Sequence, residues 1–214
     1  MHDGDHQNVI KFLLDEGADP NLGRHPDFFD ESEGPTDRKS GIALNTAAWA
    51  CSPQIFDLLL AKGAKLEHAT PLHWAVWARV HLLARRTKMI KHLVKLGVDM
   101  NGTDERQVEE KSYRVGRPLD ILLHDDVEEE GEAASVAAKQ VTELLLKLGV
   151  YPGGRSASQP TWYPELVERV KARKGPKNFW EGVQDAANKA LPYWRPCDDI
   201  ERRVWVGKDS FKLY

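Results

Sequence analysis

The sequence predicts an all-α fold: an α-solenoid of stacked helix pairs, closed by a helical C-terminal cap. Three observations predict it. One pattern, a leucine-rich run ending in glycine, occurs four times: VIKFLLDEGADPN at residues 9–21, IFDLLLAKGAKLE at 55–67, MIKHLVKLGVDMN at 89–101 and VTELLLKLGVYPG at 141–153. The glycines that close these runs, Gly17, Gly63, Gly97 and Gly149, are separated by 46, 34 and 52 residues, against about 33 in the repeat family that these runs resemble. The surplus falls in stretches of loop composition, as a stacked array that inserts only at its surface would require.

The elements follow in order. The first run is an outer helix alone, because the inner helix that should precede Asp5 is absent. That half repeat points to a chain cut from a longer array or a truncated gene product. Its uncapped end would expose apolar surface unless residues 22–41 or the C-terminal segment covers it. Residues 22–41, LGRHPDFFDESEGPTDRKSG, are rich in Gly, Pro, Asp and Ser and absorb the first surplus. In the second repeat Leu59 and Leu60 lie three and four residues after Phe56, an apolar helical face. Ala47, Ala48 and Ala75 are small enough for one inner helix to approach the next. The hairpin between Gly63 and Thr70 is clipped, while residues 79–87 add length between the helices of the third repeat. The fourth repeat is lengthened at residues 102–115 and again at 125–132, DDVEEEGE. Its leucines at 144, 145, 146 and 148 suit burial on nearly all sides. Each closing glycine follows the last apolar residue, where a left-handed backbone ends a helix at little cost.

Two stretches sharpen this reading. Residues 70–75 are TPLHWA, and the run ending at Gly97 follows nineteen residues later. TPLH followed by a helix ending in LVKxG resembles the ankyrin repeat. The resemblance covers roughly residues 5–153, with departures: IALN at Ile42 to Asn45 and RPLD at Arg117 to Asp120 replace TPLH. It implies that the Thr70 and His73 side chains fix the turn before the inner helix. It also implies a protein-binding scaffold or adaptor, without cofactor, that recognises a partner protein through a concave groove and inserted loops. The repeat region is expected over residues 1–154 and the cap over 155–214.

In the C-terminal part, Tyr163, Leu166, Val167 and Val170 mark one helical face, with Pro164 in its first turn. Phe179, Trp180, Val183, Ala187, Ala190 and Leu191 mark another. Residues 198–214 read equally as hairpin or helix. Four of the seven tryptophans are here, at 162, 180, 194 and 205. They suit a cap over the last repeat or a second binding element with aromatic anchors.

Composition excludes some classes. Hydrophobic residues make up 41% of 214, and the net charge is -3 from 33 acids and 30 bases. That allows a packed core and gives no field favouring nucleic acid or an anionic membrane. No apolar run reaches the roughly 18 residues of a membrane span, and MHDGDHQNVI lacks the order of a secretory signal. Two cysteines, Cys51 and Cys197, build no disulfide framework. An intracellular, reducing setting is the simplest reading.

No nucleotide, nucleophile-elbow or CxxC motif is present. The eight histidines show no metal-ligand spacing, His2 and His6 being the nearest to one, and Cys51 lacks a paired base. The chain therefore reads as no enzyme and holds no metal.

The clearest functional signal is aromatic. Trp49 and Trp77 occupy matching places in adjacent repeats, each five residues past a leucine (Leu44, Leu72). The ankyrin resemblance puts that place on the concave groove, so Trp49, Ala50, Trp77, Ala78 and Arg79 are the expected partner-binding residues. The alternative is that both indoles fill gaps between helices, as expected for Trp74. Arg79, Arg85, Arg86 and Lys88 are expected in one inter-helix insert, facing the acids at 125–130 in the next. Two rival readings are an enzyme-associated regulatory subunit, and nucleic-acid binding through Arg169, Lys171, Arg173, Lys174 and Lys177 beside Trp180.

Overall fold

A computed structural model of the chain describes residues 3–24, 36–37, 39–77, 83–102, 117–123, 132–152 and 160–189. The inner helices are α2 (Ile42–Ala50), α4 (Pro71–Trp77) and α6 (Pro118–Leu122); the outer ones are α1 (Asp3–Asp15), α3 (Pro53–Ala61), α5 (Leu83–Lys95) and α7 (Glu132–Leu148). Inner helices pack in the order α2, α4, α6 and outer helices in the order α3, α5, α7, each inner helix against its own outer helix. This is an all-α solenoid. Two further helices, α8 (Tyr163–Lys174) and α9 (Pro176–Asn188), pack on α7 and on each other.

Local chemistry sets where the helices start and stop. Helices α3, α4, α6 and α9 open on proline and α8 has one in its first turn, where the missing N–H costs nothing and φ is preset. Gly17, Gly63, Gly97 and Gly149 all take positive φ, between 79° and 105°, so each outer helix ends in the left-handed turn the sequence predicts. A Cβ on Gly41 would lie 1.9 Å from the His68 carbonyl oxygen. That close approach lets the second repeat seat against the third.

The core is one continuous cluster running from Leu14 through Leu44, Phe56, Leu72, Met89, Leu119 and Leu145 to Phe179. Ala47, Ala48 and Ala75 are buried where inner helices meet. The faces expected of the last two helices are buried too: Tyr163, Leu166, Val167 and Val170 on α8, Phe179 and Val183 on α9. Trp180 is half-buried beside them; Ala190, Leu191 and residues 198–214 lie outside the described residues.

Three details differ from the sequence reading. Residues 79–87 and 125–132 are not all loop: α5 already begins at Leu83 and α7 at Glu132. Met89 and Val141 therefore sit inside their helices. An outer helix is pinned at its glycine end, and its start is free to grow by whole turns along the same face. Residues 22–41 contain a short antiparallel pair, β1 (Gly23–Arg24) with β2 (Thr36–Asp37), in register Gly23 to Asp37. The Ser40 N–H, donating to the Asn21 carbonyl at 2.9 Å, closes its base. Finally, a single 3₁₀ turn at Leu66–His68 fills the clipped hairpin.

Candidate functional site

Trp49 and Trp77 each lie seven residues after the first residue of the TPLH-like stretch, Ile42 and Thr70. Because α2 and α4 pack side by side in that register, the rings meet: their centroids are 6.1 Å apart with planes inclined by 24°, an offset stack. Trp74 meets Trp77 edge-on at 6.0 Å and 90°, while its body packs against the core. Trp77 is 43% exposed. Trp49 is half-buried, its Nε1 shut off from solvent without an acceptor among the described residues. Three indoles thus form one aromatic tract across two repeats.

Ala50 closes α2, and its carbonyl accepts a 2.7 Å hydrogen bond from Arg85 Nη1 on α5. A cation at a helix C-terminus satisfies an open carbonyl and complements the dipole. Arg85 therefore caps α2 beside Trp49 instead of standing in a solvated insert. Arg86 is buried in the body of α5. Ala78, Arg79 and the acids at 125–130 lie outside the described residues.

The TPLH stretch shows how one position serves three repeats with three side chains. Asn45, His73 and Asp120 are equivalent. Asn45 Oδ1 accepts from the Thr70 N–H at 2.8 Å and so ties the second repeat to the third. His73 is buried, and its own N–H donates to the Thr70 carbonyl at 3.1 Å. Asp120 turns back on its own repeat: it accepts from the Arg117 N–H at 3.1 Å and from Arg117 Nε at 2.9 Å. At RPLD the equivalent position makes a local ion pair.

A second set of cross-ties was missed by sequence reasoning. Asn21 Oδ1 accepts from the Lys65 N–H at 2.9 Å and its Nδ2 donates to the Gly63 carbonyl at 2.9 Å. Asn101 Oδ1 accepts from the Tyr151 N–H at 2.9 Å. Each asparagine is set by the aspartate two residues before it, Asp19 at 2.8 Å and Asp99 at 2.9 Å. The signal was present as GxDxN in the first and third repeats and is absent from the other two.

In the C-terminal helices the basic run is already engaged. Glu143 on α7 accepts Lys147 at 2.7 Å, Arg173 at 3.2 Å and Arg169 at 3.7 Å. The hydrogen bond from Lys147, aided by the charges of that residue, Arg169 and Arg173, lowers its pKa. Lys171 pairs with Glu168 at 2.9 Å and lies 5.3 Å from the Trp180 ring centroid. Lys174 donates to the Lys147 carbonyl, and burial lowers its pKa. Lys177 pairs with Glu181 at 3.7 Å. Trp180 packs on Phe179 and Tyr151. The Tyr163 hydroxyl donates to the Pro152 carbonyl, and burial raises its pKa well above the ordinary value.

Among the described residues no three His, Cys, Asp or Glu side chains gather as metal ligands, and no helix is long and apolar enough to cross a membrane. Cys51 is half-buried against the core.

The family model for the ankyrin repeat matches residues 67–105, which take in the 3₁₀ turn, α4, α5 and the Asp99 to Asn101 turn. No curated protein and no solved structure matches the chain. Residues 67–105 are thus an ankyrin repeat, and glycine-closed helix pairs stack on either side of it in the same order.

Proposed function

We propose that this protein is an adaptor that grips another protein across α2 and α4, at a surface centred on Trp49 and Trp77, with Ala50, Ala78 and Arg79 as further partner-binding residues. The general role, a protein-interaction scaffold, follows from the ankyrin repeat. The location rests on one observation: two equivalent indoles in adjacent repeats stack while Trp77 keeps 43% of its surface in solvent. Tryptophan buries a large rigid area at low entropic cost and is enriched at binding hot spots. In this reading residues 1–154 form the binding array and 155–214 its cap, the inserts at 22–41 and 102–115 tune the choice of partner, and the protein works inside the cell. The nucleic-acid reading draws no support from the basic run, whose cations are held by Glu143, Glu168, Glu181, a carbonyl and an indole face.

The test pairs affinity with stability. A partner is captured with the intact chain, and its Kd is measured by calorimetry against wild type, Trp49→Ala and Trp77→Ala. Trp77→Ala should weaken binding by about 2 kcal/mol, roughly thirtyfold, with Tm held within a few degrees. Unchanged affinity with a collapsed Tm would return both indoles to a packing role.

A further inference from the structure

The last outer helix and the first helix of the cap run side by side in the same direction. Lys139 Nζ, in the first half of α7, lies 5.5 Å from the ring centroid of Trp162, the residue before α8. At the other end Lys174, which closes α8, donates to the carbonyl of Lys147 in the last turn of α7. Along this seam α7 carries Lys139, Glu143 and Lys147 at successive turns, and α8 carries Arg169 and Arg173 one turn apart.

The seam is crowded with cations around one carboxylate. Lys147, Arg173 and Arg169 all turn to Glu143, at 2.7, 3.2 and 3.7 Å. Among the described residues none of the three has another ionic partner, and the Arg169 contact is too long for a hydrogen bond. Their side chains keep 48%, 62% and 49% of their surface in solvent. Lys139 is exposed beside them. Burial, and next the charge of Lys147, lower the pKa of Lys174, the second cause being repulsion between like charges. The cations are engaged by Glu143 but not neutralised by it.

Beyond the seam the charges of the cap are matched one to one. Lys171 pairs with Glu168 at 2.9 Å, Lys177 with Glu181 at 3.7 Å and Lys189 with Asp185 at 2.6 Å. Glu165, a turn before Arg169, is an exposed acid. The positive excess is therefore local.

We infer that this seam binds a short acidic segment of another protein. Carboxylates are the matching chemistry, because three cations already converge on the one that Glu143 supplies. The length follows from the helix: Lys139 and Lys147 stand about 12 Å apart along α7, the span of about four residues of extended chain. A long phosphate backbone or a flat anionic membrane would run past the strip onto surface that offers it no spare charge. The inference is independent of the tryptophan surface.

The probe is a fluorescein-labelled peptide of four glutamates between glycines, with four glutamines as its control, titrated against the intact protein by fluorescence anisotropy. The glutamate peptide should bind saturably, and more weakly as salt is raised; the glutamine peptide should not bind. Arg169→Gln and Arg173→Gln should each weaken binding by up to about fivefold, the reach of an exposed ion pair, with Tm held. Glu143→Gln should tighten it by about the same factor, because the competing carboxylate is gone. Trp77→Ala should leave binding unchanged. Equal binding of the two peptides, no saturable binding, affinity indifferent to both arginine variants, or no gain from Glu143→Gln would overturn the inference. So would tighter binding of a single-stranded oligonucleotide with four phosphates, which would give the seam to nucleic acid. Peptide binding that appears only when the acids at 125–130 are replaced by Asn and Gln would overturn it too, by giving the seam to the chain's own insert.

Discussion

The two ends of the array are finished in opposite ways. At the C-terminal end α7 is covered by α8 and α9: Phe179, Leu166 and Val183 are buried, Glu143 gathers three cations, and the Tyr163 hydroxyl reaches back to the Pro152 carbonyl. At the N-terminal end, among the described residues, α1 is held by an apolar stripe, an exposed ion pair between Lys62 and Asp15 at 2.5 Å, and the Asn21 cross-tie. In a repeat array stability is carried by each unit and its junctions. The same residue type therefore has a different worth at the two ends, and the N-terminal unit is the part expected to open first.

The largest test of that contrast uses two leucines that each stand four residues before a closing glycine, one buried and one exposed. Leu145→Ala, in α7, should destabilise by about 2–5 kcal/mol through the cavity it leaves. Leu13→Ala, in α1, should change stability by no more than about 0.5 kcal/mol. Urea melts followed by circular dichroism decide it, and equal losses would mean that α1 is as well covered as α7.

A smaller effect probes the cap through pH. Burial raises the pKa of Tyr163 above its ordinary 10.0, so in alkali the unfolded chain releases this proton first. The contribution is whole below pH 10 and falls as pH rises from there towards the folded-state value. Tyr163→Phe should cost about 1–2 kcal/mol at neutral pH by orphaning the Pro152 carbonyl. It should also flatten the loss of stability above pH 10, as read from melts between pH 8 and 11.

The smallest effect concerns Glu143, whose pKa is lowered from 4.5, first by the Lys147 hydrogen bond. Its contribution is present above that unfolded value and fades as acid takes the pH down through the folded one. The cluster is partly exposed, so Glu143→Gln should cost about 0.5–1 kcal/mol at pH 7 and almost nothing once both forms are protonated. A cost that persists unchanged in acid would assign the residue a packing role.

The parts legible in the sequence are those that one local pattern decides. A glycine after an apolar stripe ended every outer helix, and TPLHWA placed α4, because left-handed turns and helical periodicity are properties of a short window. The matching places of Trp49 and Trp77 were legible for the same reason. What the window could not hold was relational. That α5 starts at Leu83 depends on packing along α2 and α4; residues 79–87 alone offer charges and no clear stripe. Arg85 reads as a surface cation until the Ala50 carbonyl is set within 2.7 Å of it by another helix. Asn21 and Asn101 read as turn residues, and their partners lie 42 to 50 positions away.

One consequence follows from where the outer helices begin. Helices α3, α5 and α7 start 10, 14 and 17 residues before their glycines. The steps are four and three, on either side of the 3.6 residues of one turn. Growth of this scaffold is therefore quantised in phase. Adding a full turn keeps each side chain on its azimuth, whereas inserting two residues between Arg85 and Met89 would swing Arg85 to the far side and leave the Ala50 carbonyl bare.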